Sequence, residues 1–315
     1  MDLLDGLAAA RDGVVAVERP DRAALWLTGA DVLRYLHAVC SQHTEELGQG
    51  EAAEALLLSP KGRIEFAFRL AVLDGGVLLD TEAEAAAALA ERLERFVFRY
   101  DVAVGAPKPG GVSVLGPGAD AALARAGLPV PAGAGRAAAA SPGLVVHPTA
   151  LGADVVGEAG PAALRALRAA GVEAGPAGLW ELLRVERGLP RAGLELTDDV
   201  LAEEAGLLGS HVHLDKGCYP GQETVAKVHN LGQVPRRLAG LRLRLDGEAL
   251  PAPGTELRGG DGRRAGELRS VVRHPELGPI GLAYVRRAVG PGRLLLAGDT
   301  PAEVVELPFS QPGRG

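Results

Sequence analysis

Residues 216–223 read Lys-Gly-Cys-Tyr-Pro-Gly-Gln-Glu, and this stretch bears more directly than any other on what the chain is. It contains Cys218, one of only two cysteines, and the glycines and proline around that residue predict an accessible loop. A neighbouring cation favours the thiolate, so Lys216 is expected to fold back beside the sulfur and activate it. The other cysteine, Cys40, is predicted to be a small core residue.

The composition is that of a globular protein with two or three domains. The chain has 315 residues, of which 47% are hydrophobic and 23% charged, and these are ordinary values. The formal net charge of −7 gives no reason to expect a nucleic-acid partner. The sequence contains no run of about 18 apolar residues, so no membrane span is expected. Residues 1–11 lack the basic start and apolar centre of a secretory signal. We therefore expect a cytoplasmic protein with no membrane partner.

The hydrophobic pattern predicts an α+β fold. Apolar side chains occupy every second position of a half-buried strand at Ile64, Phe66, Phe68, Leu70 and Val72. A turn at residues 74–76, a helix at 82–98 and a strand at 100–104 follow, and Asp31 is expected to cap a helix that continues to about residue 46. Residues 127–143, rich in Gly, Ala and Pro, are interpreted as a loose connection.

Three domains are predicted from these elements. Residues 1–51 plus 106–232 form a discontinuous α+β domain. Residues 52–105 form an inserted α+β subdomain. From Arg237 onward, alternating leucines and glycine-rich turns predict a small C-terminal β-barrel domain over 236–315.

A second motif, Leu183-Arg-Val-Glu-Arg-Gly-Leu-Pro190, lies at the predicted end of a helix. A glutamate is mildly unfavourable near a helix C-terminus, so Glu186 is expected to have a task other than helix stability. A carboxylate is the natural bidentate acceptor for two parallel N–H donors, so Glu186 is a candidate ligand-binding residue. The alternative interpretation is a solvated helix end.

A metal site is not expected. His211 and His213 would share one face of a strand, with Cys218 five residues further on, but no fourth ligand stands at a usual spacing. Two cysteines without a Cys-x-x-Cys spacing also argue against a zinc ribbon or a disulfide framework.

These motifs resemble the YgfZ-type folate-binding proteins, which are relatives of the aminomethyltransferases of glycine cleavage. Residues 216–223 match the fixed positions of a signature similar to K-G-C-[YF]-x-G-Q-E, and Arg184 to Gly188 resemble the R-x-E-x-G segment. Residues 57–64 resemble the family's L-x-P-x-G-R-[IV] hairpin. The resemblance implies a three-domain ring with a C-terminal small β-barrel and with tetrahydrofolate or another reduced folate in a central channel. The discontinuous domain of residues 1–51 and 106–232 would then be the folate-binding domain.

The resemblance also implies the roles of individual residues. Cys218 and Lys216 would be the reactive pair, and the folate-binding residues would be Glu186, Arg184, Tyr219, Gln222 and Glu223. The expected function is a tetrahydrofolate-binding accessory protein, with iron–sulfur proteins or their assembly factors as partners, that supports cluster assembly or repair.

Two other functions stay open at this point. One is a folate-dependent aminomethyltransferase, that is, a one-carbon transferase, and the other is a tRNA-modification factor. Aminomethyltransferases carry an aspartate shortly after the hairpin, whereas the strand after Gly62 has only Glu65 before Asp74. This departure favours the accessory protein over an enzyme of glycine cleavage.

Overall fold

The computed structural model of the protein describes residues 1–133, 135–141, 143–232, 234–245, 247 and 249–309. Eight helices are found in these ranges: α1 Leu3–Asp12, α2 Val32–Val39, α3 Ala83–Glu94, α4 Ala119–Arg125, α5 Gly160–Ala169, α6 Leu179–Arg187, α7 Leu208–His211 and α8 Gln222–Leu231. The strands of the first half are β1 Val15–Glu18, β2 Arg22–Thr28, β3 Ala52–Leu58, β4 Ile64–Leu73, β5 Gly76–Glu82, β6 Ala103–Val104, β7 Lys108–Pro109, β8 Gly111–Leu115, β9 Ala138–Ser141, β10 Leu144–Thr149 and β11 Gly152–Val156. Those of the second half are β12 Arg236–Leu243, β13 Glu256–Arg258, β14 Arg264–His274, β15 Gly278–Arg286, β16 Leu294–Ala297 and β17 Thr300–Val305.

The chain divides into two compact units. The first unit comprises Met1–Pro60, Glu65–Trp180 and Gly209–Gln222, and the second comprises Lys61–Ile64, Glu181–Leu208 and Glu223–Gly315. Among the described residues, no helix combines the length and the apolar composition that crossing a bilayer requires. The three-domain division predicted from the sequence stays a proposal.

Two sheets form the first unit. One has the order β1-β8-β11-β10-β9, and the other has the order β3-β4-β5-β2-β6, with β7 also paired to β2. The predicted alternation along β4 is confirmed, because Phe68 and Leu70 are buried in the core with Phe66 and Val72 packed partly against it. The β4–β5 turn requires a glycine at Gly75, whose φ is 82°.

Helix α2 is shorter than the sequence predicts. It ends at Val39, and Cys40 is extended, with ψ 168°. The reason is that the next residue joins the sheet: Ser41 N donates to the Leu56 carbonyl, and Leu56 N donates to the Ser41 hydroxyl. Cys40 is fully buried, as predicted.

Two further elements differ from the sequence-based prediction. The connection predicted over 127–143 contains strand β9, while residues 134 and 142 lie outside the described residues. Helix α8 directly follows the cysteine loop and was not predicted, because its sequence is polar apart from a few positions such as Val225.

The second unit contains a closed antiparallel barrel with the strand order β12-β15-β14-β13-β16-β17. Its core consists of aliphatic side chains that alternate along the strands, among them Leu241, Leu257, Leu268, Val285 and Leu295. Closure removes the exposed sheet edges that an open sheet would present. The predicted α+β class and C-terminal barrel are confirmed, although residues 310–315 of the predicted barrel domain lie outside the described residues.

Candidate functional site

The cysteine loop belongs to the first unit and leads into α8. Cys218 is exposed, whereas the flanking Lys216 and Tyr219 are 5% and 8% exposed. Gly221 ends the loop with φ 82°, a conformation that favours glycine. The loop therefore presents the thiol outward on a backbone whose neighbouring side chains are packed inward.

Lys216 does not have the position that its spacing suggested. Its ammonium donates to three backbone carbonyls at the C-terminal end of α2: those of His37, of Cys40 at 2.6 Å and of Gln42 at 3.1 Å. An ammonium has three N–H donors, so none is left for a thiolate at Cys218. Burial lowers the pKa of Lys216, and carbonyls at a helix C-terminus are suitable partners for a cation. The expectation that Lys216 lies beside the sulfur is corrected accordingly: this side chain ties the loop to α2.

The other loop residues also have structural contacts. The ring centroid of Tyr219 lies 4.8 Å from the Lys216 ammonium, and burial raises the pKa of Tyr219 to about 12, so the phenol stays protonated. Gln222 donates weakly to the Lys216 carbonyl at 3.4 Å. Glu223 is exposed in the first turn of α8, where a carboxylate stabilises the helix. Their predicted folate contacts stay predictions.

The residues 211–213 are not the strand that the sequence suggested. His211 ends the short helix α7 and contacts the Ser210 hydroxyl at 2.8 Å and a Glu54 oxygen at 3.5 Å. His213 instead stacks edge-on against His43, with ring centroids 5.2 Å apart. The two histidines therefore face different partners, since a helix end does not place alternate residues on one face.

Arg184 is fully buried in the second unit, on α6. Its five N–H groups all have acceptors: two oxygens of Glu181, the Leu189 carbonyl, Glu195 and the Ser270 hydroxyl. A guanidinium has five N–H donors, so this set uses every one of them. Arg184 joins α6 to the barrel strand that carries Ser270, and its predicted folate contact stays a prediction.

Glu186 lies two residues further along α6, where the helix ends in a Schellman motif. Gly188 has φ 73°, its N–H donates to the Val185 carbonyl, and Leu189 N donates to the Arg184 carbonyl. The backbone carbonyl of Glu186 accepts from Phe309 N at 2.9 Å. These contacts fix the backbone of Glu186, a residue that is only 8% exposed.

His274 is the partner of Glu186 that the sequence did not reveal. Its Nε2 lies 3.3 Å from Glu186 Oε2, while its Nδ1 accepts from the backbone N–H groups of Glu276 and Leu277 at 3.1 Å. Because Nδ1 accepts, the ring proton stands on Nε2 and points to the carboxylate. The only sequence signal is a histidine immediately before Pro275, which is too weak to have identified the pair.

Glu65, the one acid available to replace the missing aspartate, is engaged elsewhere in the first unit. Its Oε2 accepts from Arg92 Nε of α3 at 2.9 Å. This ion pair explains why an acid stands at that position of β4 without requiring a catalytic role.

Comparisons with known proteins agree with the fold described above. No protein-family model matches the chain. A chloroplastic protein of Arabidopsis thaliana, provisionally named a transferase, is 25% identical over 97% of this chain and 73% of its own length. The aminomethyltransferases of Streptomyces avermitilis and Moorella thermoacetica are 36% and 37% identical, over 46% and 48% of this chain. Those two matches span 42% and 43% of the relatives' own length.

A solved structure covers nearly the whole chain. The crystal structure of the glycine cleavage system aminomethyltransferase T from Bartonella henselae matches with a TM-score of 0.85 at 21% identity, over 98% of this chain and 89% of that one. At this identity the likeness establishes the fold. Together with the sequence matches, it shows that the chain is similar in sequence and in fold to proteins of the aminomethyltransferase-like superfamily.

Proposed function

We propose that the protein binds a reduced folate, tetrahydrofolate or a derivative, and acts as an accessory protein in the assembly or repair of iron–sulfur clusters. Within the superfamily this corresponds to the YgfZ-type branch, and Cys218 is the reactive thiol. The observation that carries the proposal is the buried carboxylate of Glu186, held by a Schellman motif and by His274.

The chemistry of Glu186 supports a pterin ligand. A carboxylate in a buried setting binds N–H donors more strongly than one in water, because the local dielectric constant is low. It also offers about four lone-pair positions on two oxygens, which suits the paired donors of an aminopyrimidinone edge. His274 orients one oxygen through its Nε2–H, so the direction of the carboxylate is set before a ligand arrives.

The exposed thiol supports the second half of the proposal. Cys218 stands outward on a loop that Lys216 anchors through three carbonyls, so the thiol is presented in a defined place. Accessibility is the first requirement for thiol chemistry, and the buried Cys40 does not meet it.

An aminomethyltransferase is the second candidate, favoured by the sequence matches to such enzymes. Two observations weigh against it. The strand after Gly62 has no aspartate before Asp74, and Glu65 is paired with Arg92. We expect no turnover above background when the chain is coupled to the other proteins of glycine cleavage, and steady methylenetetrahydrofolate production would favour this second function.

A reactivation assay tests the proposed function. An oxidatively damaged iron–sulfur enzyme is incubated with iron, a thiol reductant and the purified chain, with and without tetrahydrofolate. The chain should accelerate recovery of activity only with the folate, and the effect should be lost in Cys218→Ala, which removes the exposed thiol. Cys40→Ala is the matched control at the buried cysteine and should retain the effect. Equal recovery with the wild type and Cys218→Ala would contradict the role of the thiol.

A further inference from the structure

Three side chains with metal-binding chemistry lie close together in the first unit, next to the cysteine loop. His37 lies in the last turn of α2, and His43 and Glu45 follow where the chain has left the helix. One ligand atom from each lies within 4.8 Å of the other two, and this is the one such group of three found in the described residues. The end of α2 at Val39 creates the cluster, because the chain reverses there and returns past the last helical turn.

The histidines form a packed row. The rings of His37 and His43 have centroids 4.7 Å apart at an interplanar angle of 64°, and His43 contacts His213 at 5.2 Å and 82°. Within the described residues, the Nδ1 atoms of His37 and His213 are buried and have no hydrogen-bond partner. His37 turns its other ring nitrogen, Nε2, toward Glu45 Oε2, so Nε2 is the atom that this residue would offer to an ion.

Two imidazoles and one carboxylate form a set of ligands that favours divalent transition-metal ions. Zinc in catalytic sites is held by three protein ligands of this kind and keeps a fourth position for water or substrate, and two histidines with one carboxylate also suit Fe²⁺. Bonds of about 2.0–2.1 Å place tetrahedral ligand atoms roughly 3.3 Å apart. The His37 Nε2 to Glu45 Oε2 distance is 3.9 Å, and the Glu45 side chain is 44% exposed and has room to move inward.

We propose that His37, His43 and Glu45 bind a divalent transition-metal ion of the zinc or ferrous type, with one coordination position open. The site shares no residue with the Glu186–His274 pair, and it goes beyond the proposed function. It adjoins the cysteine loop, since a Cβ atom on Gly217 would lie 3.5 Å from His37 Nε2. The exposed Cys218 therefore directly follows the residue that lies against His37.

The charges around the site are consistent with a bound cation. The Lys216 ammonium lies nearby and opposes a second positive charge, but its three donors are held by carbonyls and do not compete for the ligand nitrogens. The Glu45 carboxylate supplies a compensating negative charge. The sequence suggested no metal because His37, His43 and Glu45 follow no known ligand spacing. Of the two histidines that the sequence singled out, His211 contacts Glu54 and Ser210, and His213 packs against the His43 ring.

The test is a metal titration of the full chain after dialysis against a chelator, without folate. Titration calorimetry with Zn²⁺ should give one ion per chain, and Co²⁺ should give visible absorption bands that zinc displaces. Glu45→Gln keeps the shape of an exposed side chain and should weaken zinc binding by at least about tenfold, because even partners outside the direct ligands commonly cost 10–100-fold. His43→Ala should abolish stoichiometric binding.

His229→Ala is the matched control, because His229 is exposed on α8 and belongs to no part of the cluster. It should bind zinc as the wild type does, and circular dichroism should show that all variants are folded. The proposal is overturned if the wild type gives no binding heat, or if His43→Ala and Glu45→Gln both bind within twofold of the wild type. Loss of binding in His211→Ala with retention in His43→Ala would also overturn it. None of these outcomes depends on whether the chain binds folate.

Discussion

At the scale of single residues, two cations among the predicted site residues make structural contacts through all of their N–H donors. Lys216 and Arg184 were both expected to act on a ligand or a thiol, yet each has every N–H donor accepted by neighbouring protein groups. Short motifs identify which residues matter but do not show which way a long side chain turns. Arg184 in particular satisfies buried acceptors on three separate segments of the second unit.

The first prediction follows from the buried ion pair between Arg184 and Glu195. Arg184→Met should lower the free energy of unfolding by about 3–5 kcal/mol, because it leaves the fully buried Glu195 without its counter-charge. Arg244→Met is the matched control: Arg244 is 71% exposed, and its nearest carboxylate contact, to Glu303, is 3.9 Å. The control should change stability by less than about 0.5 kcal/mol. Denaturant titration of the three proteins measures both values, and equal midpoints would contradict the assignment.

The sequence predicts the exposure of single residues better than the direction of their side chains, as Cys218 and Lys216 show. Exposure of Cys218 and burial of Cys40 could be predicted from local composition, since glycines and prolines make loops and an apolar helix face is buried. The direction of the Lys216 side chain could not, because its three acceptors come from residues more than 170 positions away in sequence. His274 was missed for the same reason, since it meets Glu186 only after the barrel has formed.

At the scale of elements, a buried network of charges joins the two sheets of the first unit. Arg69 on β4 donates to Asp80 on β5 at 2.7 Å and to Asp154 on β11 at 2.8 Å. Arg22 on β2 donates to the same Asp80 at 3.1 Å. Neighbouring arginines hold the pKa values of Asp80 and Asp154 below the usual range despite burial. The strands and the β4–β5 turn were predictable from alternation, but this cross-sheet pairing was not.

The second prediction concerns His147 on β10, which lies opposite Asp154 in the sheet and is 2% exposed. Burial, with a further contribution from Arg69, lowers the pKa of His147 to about 4. The unfolded chain takes up this proton near pH 6.5, whereas the folded chain does so only near pH 4. Stability from this group is therefore present above pH 6.5 and falls by roughly 3 kcal/mol as the pH drops to 4.

Denaturant titrations between pH 7 and pH 4 check this prediction. His147→Gln should lose less stability over that range than the wild type, by roughly 3 kcal/mol, because glutamine does not titrate. His229→Gln, at an exposed histidine, is the control and should follow the wild type. Parallel pH profiles for the wild type and His147→Gln would contradict the prediction, because they would show that His147 has the same pKa in the folded and unfolded chain. The stability that Asp80 and Asp154 contribute is lost only at still lower pH, because the folded structure lowers the pKa values of both carboxyl groups.

At the scale of the whole molecule, fold class was the most predictable property. The α+β pattern and the closed barrel follow from periodicity. The motifs in residues 57–64, 184–188 and 216–223 predicted the similarity to aminomethyltransferases that the sequence matches and the fold show. The activity is less predictable, because superfamilies with one fold carry different chemistries in their sites. The missing aspartate after Gly62 and the Glu65–Arg92 pair are the features that separate this chain from its aminomethyltransferase relatives.

The central claim is that a reduced folate binds through Glu186. Anaerobic titration calorimetry with tetrahydrofolate tests it most directly, on the wild type, Glu186→Ala and the control Glu91→Ala, whose side chain is 71% exposed. The wild type and the control should bind alike, and Glu186→Ala should lose about 1.5–3 kcal/mol, the range for a hydrogen bond to a charged group. Binding of equal strength by Glu186→Ala, or no heat with the wild type, would contradict the claim.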